Sequence, residues 1–204
     1  MIAIIDYGSG NLDAISNIYK KLKVPHMIAC SSLDLQGADR YILPGVGAFD
    51  RTMDSLRRSG LADALSEQVI QNRKKILGIC VGMQVLADSS EEGHLSGLGW
   101  IPGRVKKIDR SSLGSLPGIP HMGWNTISPK INAKLFESVD CDRGFYFLHS
   151  YHFSPEKESD IAATVHYGEP LVCAVARDNI FGVQFHPEKS HQNGISVFRA
   201  FSEI

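Results

Sequence analysis

The first half of the chain alternates two hydrophobic rhythms. Residues 2–6 (IAIID) form a short apolar run that stops at the turn signal YGSGN. The following NLDAISNIYKKL carries Leu12, Ile15, Ile18, Tyr19 and Leu22 at helical spacing, which predicts an amphipathic helix. Apolar runs of strand length recur at 26–30, in RYILPG (40–45) and in KKILGI (74–79). Amphipathic stretches over about 50–58 and 61–72 separate the last two. This succession predicts an α/β fold, an open and mostly parallel sheet flanked by helices.

From Trp100 to Phe185 the rhythm changes to short β-rich runs: WIPGRVKKI, MGWNTI, GFYFLHSYHF, DIAATVHYG, LVCAVA and NIFGVQF. They predict added strands, some antiparallel, in the same sheet or lying across it. A last amphipathic helix is expected over about 191–203. The longest loops are expected over about 88–98 and 109–120, the second rich in Gly, Ser and Pro. No repeat or composition shift divides the 204 residues, so 1–204 reads as a single domain.

Composition narrows the partners. Hydrophobic residues make up 43% of the chain, enough for a sizeable core, and 21 basic against 22 acidic side chains leave a net charge of −1. The charges are scattered, so no basic block invites nucleic acid as a main ligand. The start MIAIIDYG lacks a charged leader ahead of a long apolar stretch, and no run approaches the length of a membrane span. Cys30, Cys80, Cys141 and Cys173 are widely spaced without a CxxC pair. Reduced thiols in a cytoplasmic protein are therefore expected, with no disulfide framework and no zinc cage. Cys30 and Cys173 sit in apolar strand contexts. YGSGN has a G-x-G but no third glycine at the dinucleotide spacing, and neither a cofactor nor a metal is expected.

Three short segments carry candidate chemistry. In GICVG, Gly78 and Gly82 flank Cys80 at the offsets of a sharp strand-to-helix turn, between KKIL and the helix-compatible MQVLA. There a helix N-terminus would favour a thiolate, and the Val81 amide would face a forming oxyanion. The plain alternative is a small buried hydrophobe beside packing glycines. Gln84, one helical turn beyond Cys80, is either a substrate contact or a surface glutamine. In FGVQFHPEKS, His186 and Glu188 share one face if the chain is extended, and Pro187 stiffens the pair; a surface His and Glu is the alternative. A nucleophile needs a base and the base an orienting group, so the two segments together favour a Cys-His-Glu triad. ILPGVGAF places glycines after a strand, where a second oxyanion donor or a simple tight turn fits equally.

PGVG, GICVGMQ and FHPE, in this order, resemble the class I (triad-type) glutamine amidotransferases. DYGSGNL, PHMGWN, FLHSY and QFHPEKS make the chain similar over its whole length to the glutaminase-subunit family of imidazole glycerol phosphate synthase. The resemblance implies a flavodoxin-like fold and glutamine hydrolysis by a heterodimer with a synthase (cyclase) subunit of the HisF type, in histidine biosynthesis. It implies Cys80 as nucleophile, His186 as acid/base and Glu188 as its carboxylate. Val81, Val46 and Gly47 would supply oxyanion amides, and Gln84, Gly47, His149, Ser150 and Tyr151 would hold glutamine. Asn11 and His121, Met122, Gly123, Trp124 and Asn125 would face the synthase. The tail EKSHQNG also resembles paralogues that supply ammonia for sugar amidation in surface-polysaccharide synthesis, and a stand-alone cysteine hydrolase would use the same triad.

Overall fold

A computed structural model of the protein describes residues 1–114 and 118–204. Its spine is a parallel block built from the apolar runs. β1 (Ile2–Ile5) is buried throughout and lies between β2 (His26–Ala29) and β3 (Arg40–Leu43). Helix α1 (Leu12–Leu22) crosses between the first two, its N-cap Asn11 accepting from the Ala14 amide. α2 (Phe49–Arg58) and α3 (Leu61–Ser66), the latter running into a π turn at Glu67–Gln71, carry the chain to β4 (Lys75–Ile79). The one-turn α4 (Val81–Gln84) follows directly.

Beyond α4 come β5 (Ser89–Ser90), β6 (Gly103–Lys107), β7 (His121–Asn125) and β8 (Ile127–Pro129). Then follow β9 (Phe145–His149), β10 (Tyr151–Pro155), β11 (Ile161–Tyr167), β12 (Glu169–Arg177) and β13 (Ile180–Val183). The final helix α5 (His191–Glu203) packs back on α1, with the Phe198 ring edge-on to Tyr19 at 5.4 Å. The main sheet runs β2-β1-β3-β4-β13-β12-β11-β8, parallel as far as β13 and antiparallel after it. No helix among the described residues is long and apolar enough to cross a membrane.

Two expectations need correction. GFYFLHSYHF is not one strand: the chain breaks at Ser150, and β9 pairs with β7 while β10 pairs with β6, in two separate small sheets. MGWNTI likewise divides into β7 and β8, which belong to different sheets. Alternation along a strand fixes which side is buried but not which neighbour it joins. Cys30 is exposed beyond the end of β2, whereas Cys173 is buried in β12. The loop expected over 109–120 holds a 3-10 turn at Arg110–Leu113, and its residues 115–117 lie outside the described residues.

β4 has β3 and β13 as parallel neighbours, with Leu43 opposite Gly78 and Val183 opposite Ile79. The segments PGVG, CVGMQ and QFHPE therefore leave the sheet side by side at its carboxyl edge, where open α/β sheets bind ligands. Topology joins what the sequence holds far apart.

Candidate active site

Cys80 sits on the bend between β4 and α4 with φ 56° and ψ −112°, a region few residues other than glycine occupy. Such a conformation costs on the order of 1–3 kcal/mol and persists only where the surroundings impose it. They do so here. The Cys80 amide donates to the Val183 carbonyl at 2.8 Å, and its own carbonyl accepts from the amides of Met83 and Gln84. A Cβ on Gly82 would strike the Leu43 carbonyl oxygen, and one on Gly78 would strike the Gly82 backbone. The glycines let β3, β4 and α4 meet backbone to backbone.

α4 has only four residues, which corrects the expectation of a helix dipole behind the sulfur. One turn sums few peptide dipoles, so the local amides matter more. As first residue of that turn, Val81 has no intrahelical partner for its N–H.

His186 is extended at φ −102°, but Glu188 lies in a 3-10 turn, Pro187–Lys189, rather than along a continuing strand. The turn still brings the pair together: Nδ1 of His186 is 2.8 Å from Oε1 of Glu188, and each side chain is 3% exposed. Ser190 Oγ clamps the turn by donating to the His186 carbonyl and accepting the Tyr146 amide. Burial works against a charge on the imidazole. The Cys80 sulfur and the Glu188 carboxylate outweigh it and lift the pKa of His186 to about 10. A thiol beside an imidazole braced by a carboxylate is the equipment of nucleophilic acyl transfer.

A cleft of about 320 Å³ opens over Cys80 and His186, lined also by Val46, Gly47, Val81, Gln84, His149, Ser150 and Tyr151. Three stretches distant in sequence, 46–47, 81–84 and 149–151, thus converge with the His186 turn at one mouth. The HMGWN stretch lies beside this cleft on β7, while Asn11 is the helix cap already described.

The family model for class-I glutamine amidotransferases matches residues 3–202. The chain belongs to this family. The amidotransferase is 48% identical, over the whole of both chains, to the imidazole glycerol phosphate synthase subunit HisH of Bdellovibrio bacteriovorus. It is 47% identical, again over the whole of both, to the protein of the same name from Leptospira interrogans. Among solved structures, a glutamine amidotransferase from Thermotoga maritima shares the fold with a TM-score of 0.68 and 15% identity, covering 99% of this chain and 82% of the other.

Several side chains of the amidotransferase differ from their expected exposure. Gln84 is no surface residue: it is 3% exposed, and its Nε2 donates to the Tyr151 carbonyl and to Gln184 Oε1, both at 3.0 Å. The His149 ring turns into the protein, where Nδ1 donates to the Tyr151 carbonyl and Nε2 accepts from His121 Nδ1 at 2.9 Å. Burial holds the His149 pKa down at about 3 and that of His121 at about 4. His121 is stacked between Phe147 and Tyr167, so it does not face a partner as expected. Of the HMGWN stretch, Met122 and Trp124 are the exposed side chains, on alternate positions of β7.

Sequence reading missed Glu92, Pro120 and Leu148, which also line the cleft. Glu92 lies in a stretch that reads only as a loop, and its Oε2 accepts the Phe49 amide at 2.9 Å. The Val46 peptide is also held in a way no motif announces. Ser9 Oγ donates to the Val46 carbonyl and accepts from its amide. Among the described residues no group of three or more His, Cys, Asp or Glu side chains is placed to hold a metal ion.

Proposed function

We propose that this chain is the glutaminase subunit of imidazole glycerol phosphate synthase and hydrolyses glutamine with Cys80, His186 and Glu188. The observation that carries the reading is the convergence of an elbow cysteine and a carboxylate-braced imidazole on one cleft. The full-length likeness to HisH subunits supports the same reaction.

The Cys80 thiolate attacks the side-chain carbonyl carbon of glutamine, forming a C–S bond and an oxyanion that the Val81 amide receives. As the oxyanion collapses, the C–N bond breaks and His186 protonates the departing nitrogen, giving ammonia and a thioester. Water then gives a proton to His186 and attacks the thioester; the C–S bond breaks and glutamate leaves. With its pKa near 10, His186 holds the first proton at neutral pH, and Glu188 fixes the tautomer. Gln84, Gly47 and the 149–151 segment hold the substrate, the last through its backbone and Ser150 and Tyr151 rather than the inward-turned His149 ring.

The ammonia passes to a cyclase subunit that docks against the exposed side chains of Asn11, Val46, Met122 and Trp124. Ammonia protonates in neutral water and loses its nucleophilicity, which favours release into a docked partner. The test is glutamate release by the chain mixed with a histidine-pathway cyclase, compared with Cys80→Ala. The wild-type chain releases glutamate and supports synthesis, whereas the variant supports synthesis only from added ammonium salt. Glutamine-dependent synthesis by Cys80→Ala overturns the assignment. A response to a sugar-amidating synthase instead of the cyclase moves the chain to the other branch.

A further inference from the structure

Gln184 follows β13, is fully buried, and has no place in the triad. Its side chain joins two parts of the site. Nε2 lies 3.7 Å from Cys80 Sγ, a distance suited to the large, soft sulfur acceptor, and Oε1 accepts from Gln84 Nε2 at 3.0 Å. Gln84 Nε2 also donates to the Tyr151 carbonyl at 3.0 Å.

The orientation of both amides follows from that carbonyl. A backbone oxygen can only accept, so it must meet the NH2 end of Gln84, never the oxygen. The second N–H of Gln84 then requires the oxygen of Gln184, which turns the Gln184 NH2 toward sulfur. Reversing Gln84 would set its oxygen against the Tyr151 carbonyl, and reversing Gln184 would set two NH2 groups face to face, each in a buried site. His149 Nδ1 donates to the same Tyr151 carbonyl at 2.9 Å and so keeps its second lone pair occupied. Both N–H bonds of Gln84 are thereby committed. Its Oε1, which has no partner among the described residues, is left for the cleft that Gln84 lines.

Resting on the glutaminase reading, we propose that Gln184 is a positioning residue with two separable effects: it donates to the Cys80 sulfur, and by accepting the second N–H it holds the plane of the Gln84 amide that the Tyr151 carbonyl orients, so that a carbonyl oxygen faces the ligand. The first effect holds the sulfur in place for attack through the N–H···S hydrogen bond. The second makes the subsite an acceptor. It receives an N–H donor, such as an ammonium or carboxamide group, and repels a carboxylate.

Two near-isosteric variants separate the effects. Gln184→Met removes the donor and the acceptor, whereas Gln184→Glu keeps an acceptor for Gln84 but offers sulfur no N–H. The first readout is alkylation of Cys80, which lines the cleft, by iodoacetamide, followed on its own peptide by mass spectrometry because the exposed Cys30 reacts too. Both variants lose about 10-fold or more in alkylation rate, the size of a lost hydrogen bond to a charged group. The second readout is glutamate release with the cyclase present. Gln184→Glu lowers kcat with KM within about threefold, and Gln184→Met lowers kcat and also raises KM at least about fivefold.

Alkylation at the wild-type rate in a folded variant overturns the first effect, and equal KM in wild type and Gln184→Met overturns the second. If Gln184→Glu does not fold, Gln184→Met decides both. A wild-type chain that alkylates as described yet releases no glutamate counts against the glutaminase reading and leaves the sulfur contact standing.

Discussion

Nδ1 of His186 and Oε1 of Glu188 stand 2.8 Å apart in a pocket that leaves each side chain 3% exposed. The contact spans only two residues of sequence, yet it depends on a 3-10 turn held by Ser190. A free carboxylate would rotate; this one is fixed against the Nδ1 edge of the imidazole. That arrangement makes the charge on His186 depend on Glu188.

Glu188→Gln tests the dependence. The amide retains the shape but not the charge that supports imidazolium, and in one orientation it donates to Nδ1 and enforces the wrong tautomer. We expect kcat for glutamate release to fall on the order of 10⁴-fold, the effect of neutralising the carboxylate of a Ser-His-Asp triad. Glu188 does not line the cleft, so KM stays within a few-fold. Steady-state kinetics in the presence of the proposed cyclase partner measure both, and a kcat within tenfold of wild type removes Glu188 from the proposed triad.

The elbow makes a sharper structural prediction. Gly82→Ala drives a methyl group into the Leu43 carbonyl, a backbone atom of a central strand that cannot step aside. Overpacking of this kind costs about 3 kcal/mol or more. Thermal unfolding should show a loss of roughly 6–12 °C for a chain of this size. Gly47→Ala, with nothing near its Cβ but a φ of +107°, should cost less. Equal melting temperatures for Gly82→Ala and wild type would contradict the close approach of β3 to α4.

These glycines also show what the sequence makes legible. A tight bend needs small residues at fixed offsets, and a base needs its carboxylate nearby, so GICVG and HPE announce themselves within a few residues. The mostly parallel sheet and the terminal helix follow equally from local apolar rhythm. Links made only by folding are not legible. Gln184 reads as one more residue of an apolar strand, and Glu92 as part of a loop, because their partners Cys80 and Phe49 are distant in sequence. His121 reads as part of an exposed face, yet the alternation of its strand turns it inward between Phe147 and Tyr167. Cys30 misleads for the opposite reason: its apolar run ends one residue early, at Ala29.

The inward histidines give a pH dependence of stability. His121 and His149 have folded pKa values held down to about 4 and about 3, against about 6.5 unfolded. Burial lowers His152 in the same direction. The unfolded chain therefore binds more protons below pH 6.5, so stability is full above that value and is lost as pH falls toward 4. His186 has the opposite sign. Its pKa is raised, so its contribution is intact below 6.5 and is lost only as pH rises through about 10. Between pH 7 and 5 we expect the buried pair to cost on the order of 2 kcal/mol per ring. Calorimetry should show the melting temperature falling over this window and a shallower fall for His121→Phe, which preserves the stack but cannot titrate. A flat profile in the wild type would refute neutral burial of the pair.

The last prediction concerns the loop after β3. Gly45 is pinned against the elbow, since a Cβ there would meet the Gly82 amide nitrogen at 2.7 Å, while Gly47 at φ +107° turns in open space. Between them, Val46 exposes its side chain, and Ser9 holds both of its peptide groups, at 2.8 Å to the carbonyl and 3.2 Å to the amide. An amide donating to Ser9 does not donate to an oxyanion over Cys80, so the contact restrains a second donor. Each such hydrogen bond is worth about 1 kcal/mol net, within reach of what a docking partner supplies. Ser9→Ala should therefore raise glutamate release by the isolated chain about 5- to 20-fold and leave its rate with the proposed cyclase partner within about twofold of wild type. Ser9→Thr, which keeps the hydroxyl, should retain the low rate. An isolated Ser9→Ala chain no faster than wild type would show that the Val46 peptide is not what limits the resting site.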